Sequence, residues 1–319
     1  MTISPSDLRP VEDSPTHRGD YVVGIDMGGT AIKAAAFSPD GQKLAWRTGP
    51  TGDGEKIGGD HAWAWRVREL IRELEAEFRR PPLHVGLSSP GLASPDQRCI
   101  VSLPNRLHGI EGFDWSEWLG CRVPVLNDAH SALGGEAWQG AARGRRHVVM
   151  LTLGTGVGGA AMVDGHILRG HLGRAGHLGH VSVDCSSPEV SIFGMPGALE
   201  TAIGNYNVPL RSGGRFPDSR ALVEAVTQGD EAAAAVWERS VWALGCAIGS
   251  FINAFDPEVV VVGGGVAEAG PVLWEPLKRV LAQVEWRPVG SGVPIIPAEL
   301  GGWAGAWGAA AEALACSER

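Results

Sequence analysis

Three glycine-rich segments, each directly after a short apolar run, mark where this chain could do chemistry: Gly28-Gly29-Thr30, Gly154-Thr155-Gly156-Val157-Gly158-Gly159 and Gly263-Gly264-Gly265. Backbone N–H groups cradle phosphate oxygens only where no Cβ blocks the approach, so glycine-rich strand ends suit phosphate. One such loop is ordinary turn chemistry. Three of them at wide spacing, two built alike, point to a nucleotide. Beside the first loop, Asp26 could hold Mg²⁺ directly or through water, because that ion takes few protein ligands and keeps several waters. It could equally stabilise the turn. Lys33 could reach a phosphate or simply decorate a hairpin. Asn127-Asp128 ends an apolar run and opens a helical segment. Asp128 therefore reads as part of an N-cap, or as a general base taking the proton of an attacking hydroxyl. Phosphoryl transfer mainly requires positioning and charge neutralisation, so one carboxylate beside the nucleophile suffices. The two readings are compatible.

Two familiar nucleotide signatures do not apply. The P-loop pattern G-x-x-x-x-G-K-[ST] is missing from the sequence. Gly154–Gly159 matches the dinucleotide fingerprint G-x-G-x-x-G, but that fingerprint needs a helix directly after the loop. Here Ala160–Val163 and Asp164-Gly165 read as strand and turn, which argues against a nicotinamide-dependent oxidoreductase.

The elements that must position these groups follow from the apolar pattern. Tyr21–Ile25 and Ile32–Phe37 flank a Gly-rich tip and read as a hairpin. Ala62–Phe78 carries Trp63, Val67, Leu70, Ile71, Leu74 and Phe78 at helical spacing. Short strands are expected at Leu83–Leu87 and Val123–Leu126. Val148–Leu153, the tip Gly154–Gly159 and Ala160–Val163 then repeat the opening plan, with Thr152 where the first copy has Asp26. Such a duplication predicts two related α/β domains facing each other. A long helix over Ala232–Phe255, a buried strand at Glu258–Val262 and a final helix over Gly301–Leu314 complete the chain. Trp303 and Trp307, four apart, are expected to form one buried stripe. The domain expectation is a flexible tail over 1–20, domains over 21–127 and 128–300, and a helix in 301–319 packing back on the first domain.

Composition narrows the partners. Of 319 residues, 44% are hydrophobic and 20% charged, an ordinary globular balance, and the formal charge is −9. A net negative chain without a Lys/Arg-rich run is a poor binder of nucleic acid. No run of about 18 apolar residues suggests a membrane span, and the polar residues 1–20 lack the apolar centre of a signal peptide. The five cysteines are scattered and form no C-x-x-C pair, which suits a reducing compartment and hence the cytoplasm.

Taken in order, these motifs resemble the ROK family (repressors, open reading frames and sugar kinases) over residues 21–312. Ile25–Lys33 resembles its first phosphate motif, Leu103-Pro104-Asn105 its sugar-contacting step, and Asn127–Ala132 its catalytic Asn-Asp-Ala segment. Leu153–Gly159 is similar to its second phosphate motif and Val261–Gly265 to its adenosine motif. The resemblance implies an actin-like ATPase (ribonuclease H-like) fold of two α/β domains with a cleft between them. It also implies ATP with Mg²⁺, transfer to a hydroxyl of a hexose or hexose-like sugar, and a homodimer. On this reading Asp128 is the catalytic base, and Asn105, Asn127, His180 and Glu200 contact the sugar. The repressor branch carries an added helix-turn-helix domain, which twenty polar residues cannot build; the alternative is a non-catalytic sugar sensor on the same scaffold.

Two departures from the family pattern stand out. Where the family commonly has Gly-Glu-x-Gly-His, this chain reads Gly176-His177-Leu178-Gly179-His180, so His177 replaces a sugar-contacting carboxylate. The zinc motif is also degenerate: Ser191, Phe193 and Ala198 stand at its three cysteine positions. A tetrahedral site needs about four N/S ligands, so zinc is expected to be absent, with apolar packing by Phe193 and Ala198 shaping the loop instead.

Overall fold

A computed structural model describes residues 19–288 and 290–317. The tail expected over 1–20 therefore lies outside the described residues, apart from Gly19 and Asp20, as do the last two residues of 301–319.

Two five-stranded sheets carry the molecule. The first holds β1 (Val22–Met27), β2 (Ala31–Phe37), β3 (Lys43–Pro50), β4 (Val85–Ser89) and β5 (Val125–Asn127), in the order β3-β2-β1-β4-β5. The second holds β6 (Val148–Leu153), β7 (Val157–Val163), β8 (His166–Ile167), β9 (Val259–Gly263) and β10 (Ile295–Pro297), in the order β8-β7-β6-β9-β10. The plans are identical. In each, the first strand pairs antiparallel with the second and parallel with the fourth, whose other neighbour is the parallel fifth. The repeat read from the two Gly-tipped hairpins thus extends to whole sheets, the α/β actin-like architecture.

β3 went unforeseen. Of its eight residues only Ala45 is buried, so the strand lacks a clear apolar face. β9, by contrast, is a run of four valines buried on both sides, as a parallel central strand requires.

The main helices are α1 (Ala62–Phe78), α2 (Asp128–Gln139), α3 (Leu199–Ile203), α4 (Ser219–Thr227), α5 (Glu231–Phe255), α6 (Pro271–Val284) and α7 (Ala304–Ser317). On α1, Trp63, Val67, Leu70 and Leu74 join the core of the first sheet. α5 supplies Trp237, Val241, Leu244 and Ile248 to the core of the second.

α7 packs by closeness rather than by bulk. A Cβ on Gly24 of β1 would lie 1.8 Å from the Ala306 carbonyl oxygen, and one on Gly86 of β4 would lie 2.0 Å from that of Ala309. A Cβ on Gly308 would come within 1.7 Å of the Ser131 carbonyl oxygen on α2. Ser131 Oγ also donates to the Gly305 carbonyl at 2.8 Å. The glycines let backbone meet backbone, so α7 ties β1, β4 and α2 together.

Trp303 and Trp307 do not make one buried stripe. Trp303 belongs to a 3₁₀ turn before α7, and both rings are half-buried. The Lys43 ammonium sits 4.8 Å from the Trp303 ring centre, 5.2 Å from Trp307 and 4.9 Å from Trp46. A cation held over aromatic faces keeps their outer edge near water.

Candidate active site

Asp26 is the penultimate residue of β1, in register with Lys33 on β2 and Ser88 on β4. Ser88 Oγ donates to Asp26 Oδ1 at 2.9 Å. Burial raises the Asp26 pKa above the usual carboxylate value, while the Ser88 hydrogen bond and the Lys33 charge pull it down. Lys33 Nζ donates to the Gly302 carbonyl. That carbonyl is held in place because Glu136, buried on α2, accepts the backbone N–H of Leu300 at 2.9 Å and of Glu299 at 3.1 Å.

Asp128 opens α2, and Asn127 is what fixes it. The Asn127 side-chain oxygen accepts from the N–H groups of Ala129 (3.0 Å) and His130 (3.2 Å) and so caps the helix. Its Nδ2 donates to the Gly91 carbonyl and to Asp128 Oδ1, both at 2.9 Å. Ala129 N–H also donates to Asp128 Oδ1, at 2.8 Å. The N-cap and the carboxylate are therefore adjacent residues with linked roles.

The Asp128 carboxyl is pushed up to about 6, chiefly by desolvation and next by the Asp26 charge. The Ala129 N–H, the Arg106 guanidinium and the Asn127 amide act the other way. Its side chain is open to water on the cleft side while protein encloses the cleft around it. That enclosure makes its charge costly.

Asp26, Gly28, Lys33, Asp128, Gly263 and Gly264 line one cavity of about 510 Å³, together with Arg106 and Thr152. A second, of about 700 Å³, is lined by Gly154, Thr155 and Gly265 with Asn205, Asp218 and Glu224. The two share Glu268, and each is in the size range of small-molecule sites. Gly264 shows why glycine is required between them. Its φ is +88°, and a Cβ there would lie 2.4 Å from the Leu153 carbonyl oxygen. The strand expected after Gly154–Gly159 is β7, so the loop is a hairpin tip and not the entry to a dinucleotide-binding helix.

Against the first turn of α2 lies a cluster that includes three of the expected sugar contacts. The His177 ring is 5.5 Å from His130 and 6.0 Å from His180. His180 Nδ1 is 3.5 Å from Glu200 Oε1. Desolvation, then the neighbouring His130 and His180, lowers the His177 pKa to about 4, so its imidazole is neutral. His130 Nε2 lies 2.8 Å from the Ala175 carbonyl oxygen and must carry the proton there. His177 Nε2, His180 Nδ1 and Glu200 Oε1 are buried without a hydrogen-bond partner among the described residues. Each such group costs about 1–3 kcal/mol unless something satisfies it. A polyhydroxylated ligand would.

Of the remaining expected residues, Gly29, Thr30 and Asn105 line neither cavity, and Gly156 faces Glu200, whose Oε2 would be 2.9 Å from a Cβ there. Asn105 sits on an exposed loop with φ of 63°. Its neighbour Arg106 reaches the cleft, and so does His130 reach the histidine cluster; neither stood out in the sequence.

The donors at the degenerate zinc motif do not fit that metal. Phe193 lies edge-on to His180 with ring centres 4.9 Å apart, Ser191 Oγ accepts from the Phe193 N–H at 3.2 Å, and Ala198 is buried. Cys185 is exposed. No cluster of three or more His, Cys, Asp or Glu able to hold a metal occurs among the described residues.

Comparison with known proteins agrees with this geometry. The ROK family model matches residues 22–315. Glucokinase of Thermotoga maritima is 33% identical over 281 residues, covering 81% of this chain and 86% of that one. N-acetylmannosamine kinase of Escherichia fergusonii is 30% identical, covering 77% and 83%. Among solved structures, the ROK hexokinase of Thermus thermophilus superposes with a TM-score of 0.80 at 30% identity, covering 93% of this chain and 99% of that one. A ROK glucokinase from Streptomyces griseus, in complex with glucose and AMPPNP, gives 0.73 at 25% identity over 92% and 99%. With a family model spanning nearly all the described residues, and kinases of that family alike in sequence and in fold, this chain belongs to the ROK family.

Proposed function

We propose that this protein is an ATP-dependent sugar kinase, with Asp128 as the general base and the Glu200–His180–His177 cluster as the sugar site. The observation that carries the reading is Asp128 itself. A carboxylate with its pKa lifted to about 6 is fixed at a helix start inside a cleft edged by glycine loops. A base poised near neutrality is ionised at working pH yet still able to take a proton. The phosphate loops Gly28–Thr30 and Gly154–Gly156 would cradle the β- and γ-phosphates, and Gly263–Gly265 the adenosine side. The sugar oxygen would attack the γ-phosphorus as its proton passes to Asp128. The bond from that phosphorus to the β,γ-bridging oxygen would break, and ADP would leave.

The donor set also suits Mg²⁺. Asp26 is one carboxylate facing the cleft with Oδ1 committed to Ser88, and Mg²⁺ takes one or two carboxylates plus waters and phosphate oxygens. Bound there, the ion would neutralise phosphate charge. Ser88 keeps Asp26 oriented, and the Lys33 charge favours its ionised form. Asn127 spends its amide on the helix cap and on Asp128, so it acts chiefly by positioning the base. Asn105 would meet the sugar from the exposed loop. A cytoplasmic enzyme fits the five free cysteines; the homodimer rests on the family resemblance, and sedimentation would test it. The two repeated sheets support the division into 21–127 and 128–300, with α7 returning to the first.

The test is ADP release from Mg-ATP across hexoses, amino sugars, epimers and cyclitols, with Asp128→Asn as control. Turnover with one class, lost in the variant, is expected. Saturable sugar binding without turnover would make the protein a sensor instead.

A further inference from the structure

Arg106 is an unassigned cation of the cleft. It lines the cavity that holds Asp26, Lys33 and Asp128. Its guanidinium packs on the first glycine loop, where a Cβ on Gly29 would lie 3.2 Å from Nη2. It makes no hydrogen bond or ion pair among the described residues, although Asp26, Asp128 and Glu268 share its cavity. Lys33, the other cation there, is committed to the Gly302 carbonyl.

The backbone around Arg106 is built to present it. Asn105 and Leu107 have φ of 63° and 50°, so non-glycine residues in the left-handed region flank it on both sides. Asn tolerates that region, but a leucine there is strained, and such strain persists only where the surroundings enforce it. Here they do. The Asp53 carboxylate accepts the N–H groups of Leu107 (2.8 Å) and His108 (2.7 Å), and the Leu107 side chain is fully buried. On the other side, Glu111 Oε1 accepts the Leu103 N–H at 2.6 Å. The loop is pinned at both ends with one long cation between the pins.

We propose that Arg106 is a catalytic residue that donates to the oxygens of the γ-phosphoryl group during transfer. The inference rests on the kinase reading above. As the oxygen–phosphorus bond to the sugar forms and that to the ADP oxygen breaks, negative charge spreads over the three equatorial oxygens. The proton goes to Asp128 and the bonding pair to ADP, so the balance needs only a donor for charge already present. A planar guanidinium with several N–H groups meets that need better than an ammonium. A site on the Gly29 loop, facing Asp128 across the cavity, is where such a donor must stand. Arg106 also lowers the Asp128 pKa from the same position, so it serves the base as well.

The test is steady-state kinetics of Arg106→Lys and Arg106→Ala with Mg-ATP and the sugar that wild type turns over, with thermal unfolding as the folding control. kcat is expected to fall by about 10²–10³, the usual effect of removing one such donor. The sugar KM should stay within about twofold, lysine should not restore the rate, and added guanidinium at low concentration should partly rescue Arg106→Ala. Unchanged kcat, or a loss confined to sugar KM, would overturn the proposal. So would a deficit that disappears at alkaline pH, since Arg106 would then act only by adjusting Asp128. Absence of turnover by wild type would instead sink the kinase reading, and this proposal with it.

Discussion

The sharpest consequence of the site is a pH dependence that can be read in two independent ways. If Asp128 must be ionised to accept the hydroxyl proton, kcat/KM should fall on the acid side with a midpoint near its pKa of about 6. At about pH 8 nearly all of it is ionised and at about pH 5 roughly a tenth, so the expected drop is about tenfold. The Asp26 charge is the second cause of the elevation. Removing it with Asp26→Asn should move the acid limb of the residual activity downward. The second reading needs no substrate. The folded-state pKa lies above the ordinary value of 3.8, so the native state binds this proton more tightly than the unfolded chain does. The contribution to stability is therefore complete below about pH 4 and lost as pH rises through about 6. Asp128→Asn keeps the acceptor for Asn127 and Ala129 but never ionises. Its melting temperature should match wild type near pH 4 and exceed it at about pH 8, while kcat falls by about 10²–10⁴. An acid limb below pH 5, or a variant less stable than wild type at pH 8, would refute the desolvated-base argument.

Other outcomes follow from the same geometry. His177→Glu adds a carboxylate beside His180 and exchanges a neutral donor–acceptor for two acceptors, so the ranking of sugars by kcat/KM should change by about tenfold or more; an unaltered ranking means His177 does not face the sugar. Thr152→Asp gives the second hairpin the carboxylate that the first already carries, and should raise the KM for ATP roughly tenfold while sparing sugar binding measured without nucleotide. Gly308→Ala must push its methyl into the Ser131 carbonyl, and a loss of about 1–3 kcal/mol or more is expected in urea unfolding. Purified protein should contain no stoichiometric zinc by elemental analysis, and a chelator should leave its melting temperature unchanged.

What could be read in the sequence was what local rules write there. Asp26, Asp128 and the glycines stand at strand ends, where a change from apolar run to turn residues is visible along the chain, and the duplicated hairpins announce the repeated sheet. α1 and α5 follow from apolar spacing alone. The misses share a different cause. β3 buries one side chain of eight, so nothing in its pattern distinguishes it from a loop. Arg106 is an ordinary exposed arginine until the left-handed turns at Asn105 and Leu107 aim it, and those are enforced by Asp53, more than fifty residues earlier. Trp303 and Trp307 have helical spacing, but Lys43 arrives from a distant strand to hold them at the surface. The signal available for Arg106 was its place one residue after Pro104-Asn105, which a residue-by-residue reading of chemistry would have weighed.

The asymmetry between the two repeats explains why the cleft needs this particular set of charges. Asp26 and Thr152 occupy the same position in matching hairpins, opposite Lys33 and Gly158 respectively. Both line the one cavity. A perfectly symmetric pair of jaws would put a carboxylate on each side of a polyphosphate, with Asp128 as a third. Instead the matching position of the second hairpin is neutral, and a Cβ on Gly158 would lie 2.3 Å from Thr152 Oγ1, leaving room only for glycine there. Burial raises the Asp26 pKa and burial with the Asp26 charge raises that of Asp128, while Lys33 opposes the first and Arg106 the second. Asp26 and Asp128, each opposed by its own cation and sharing the cavity with the uncharged Thr152 and the glycine N–H groups, can receive a polyanion without expelling the base that must stay ionised beside it.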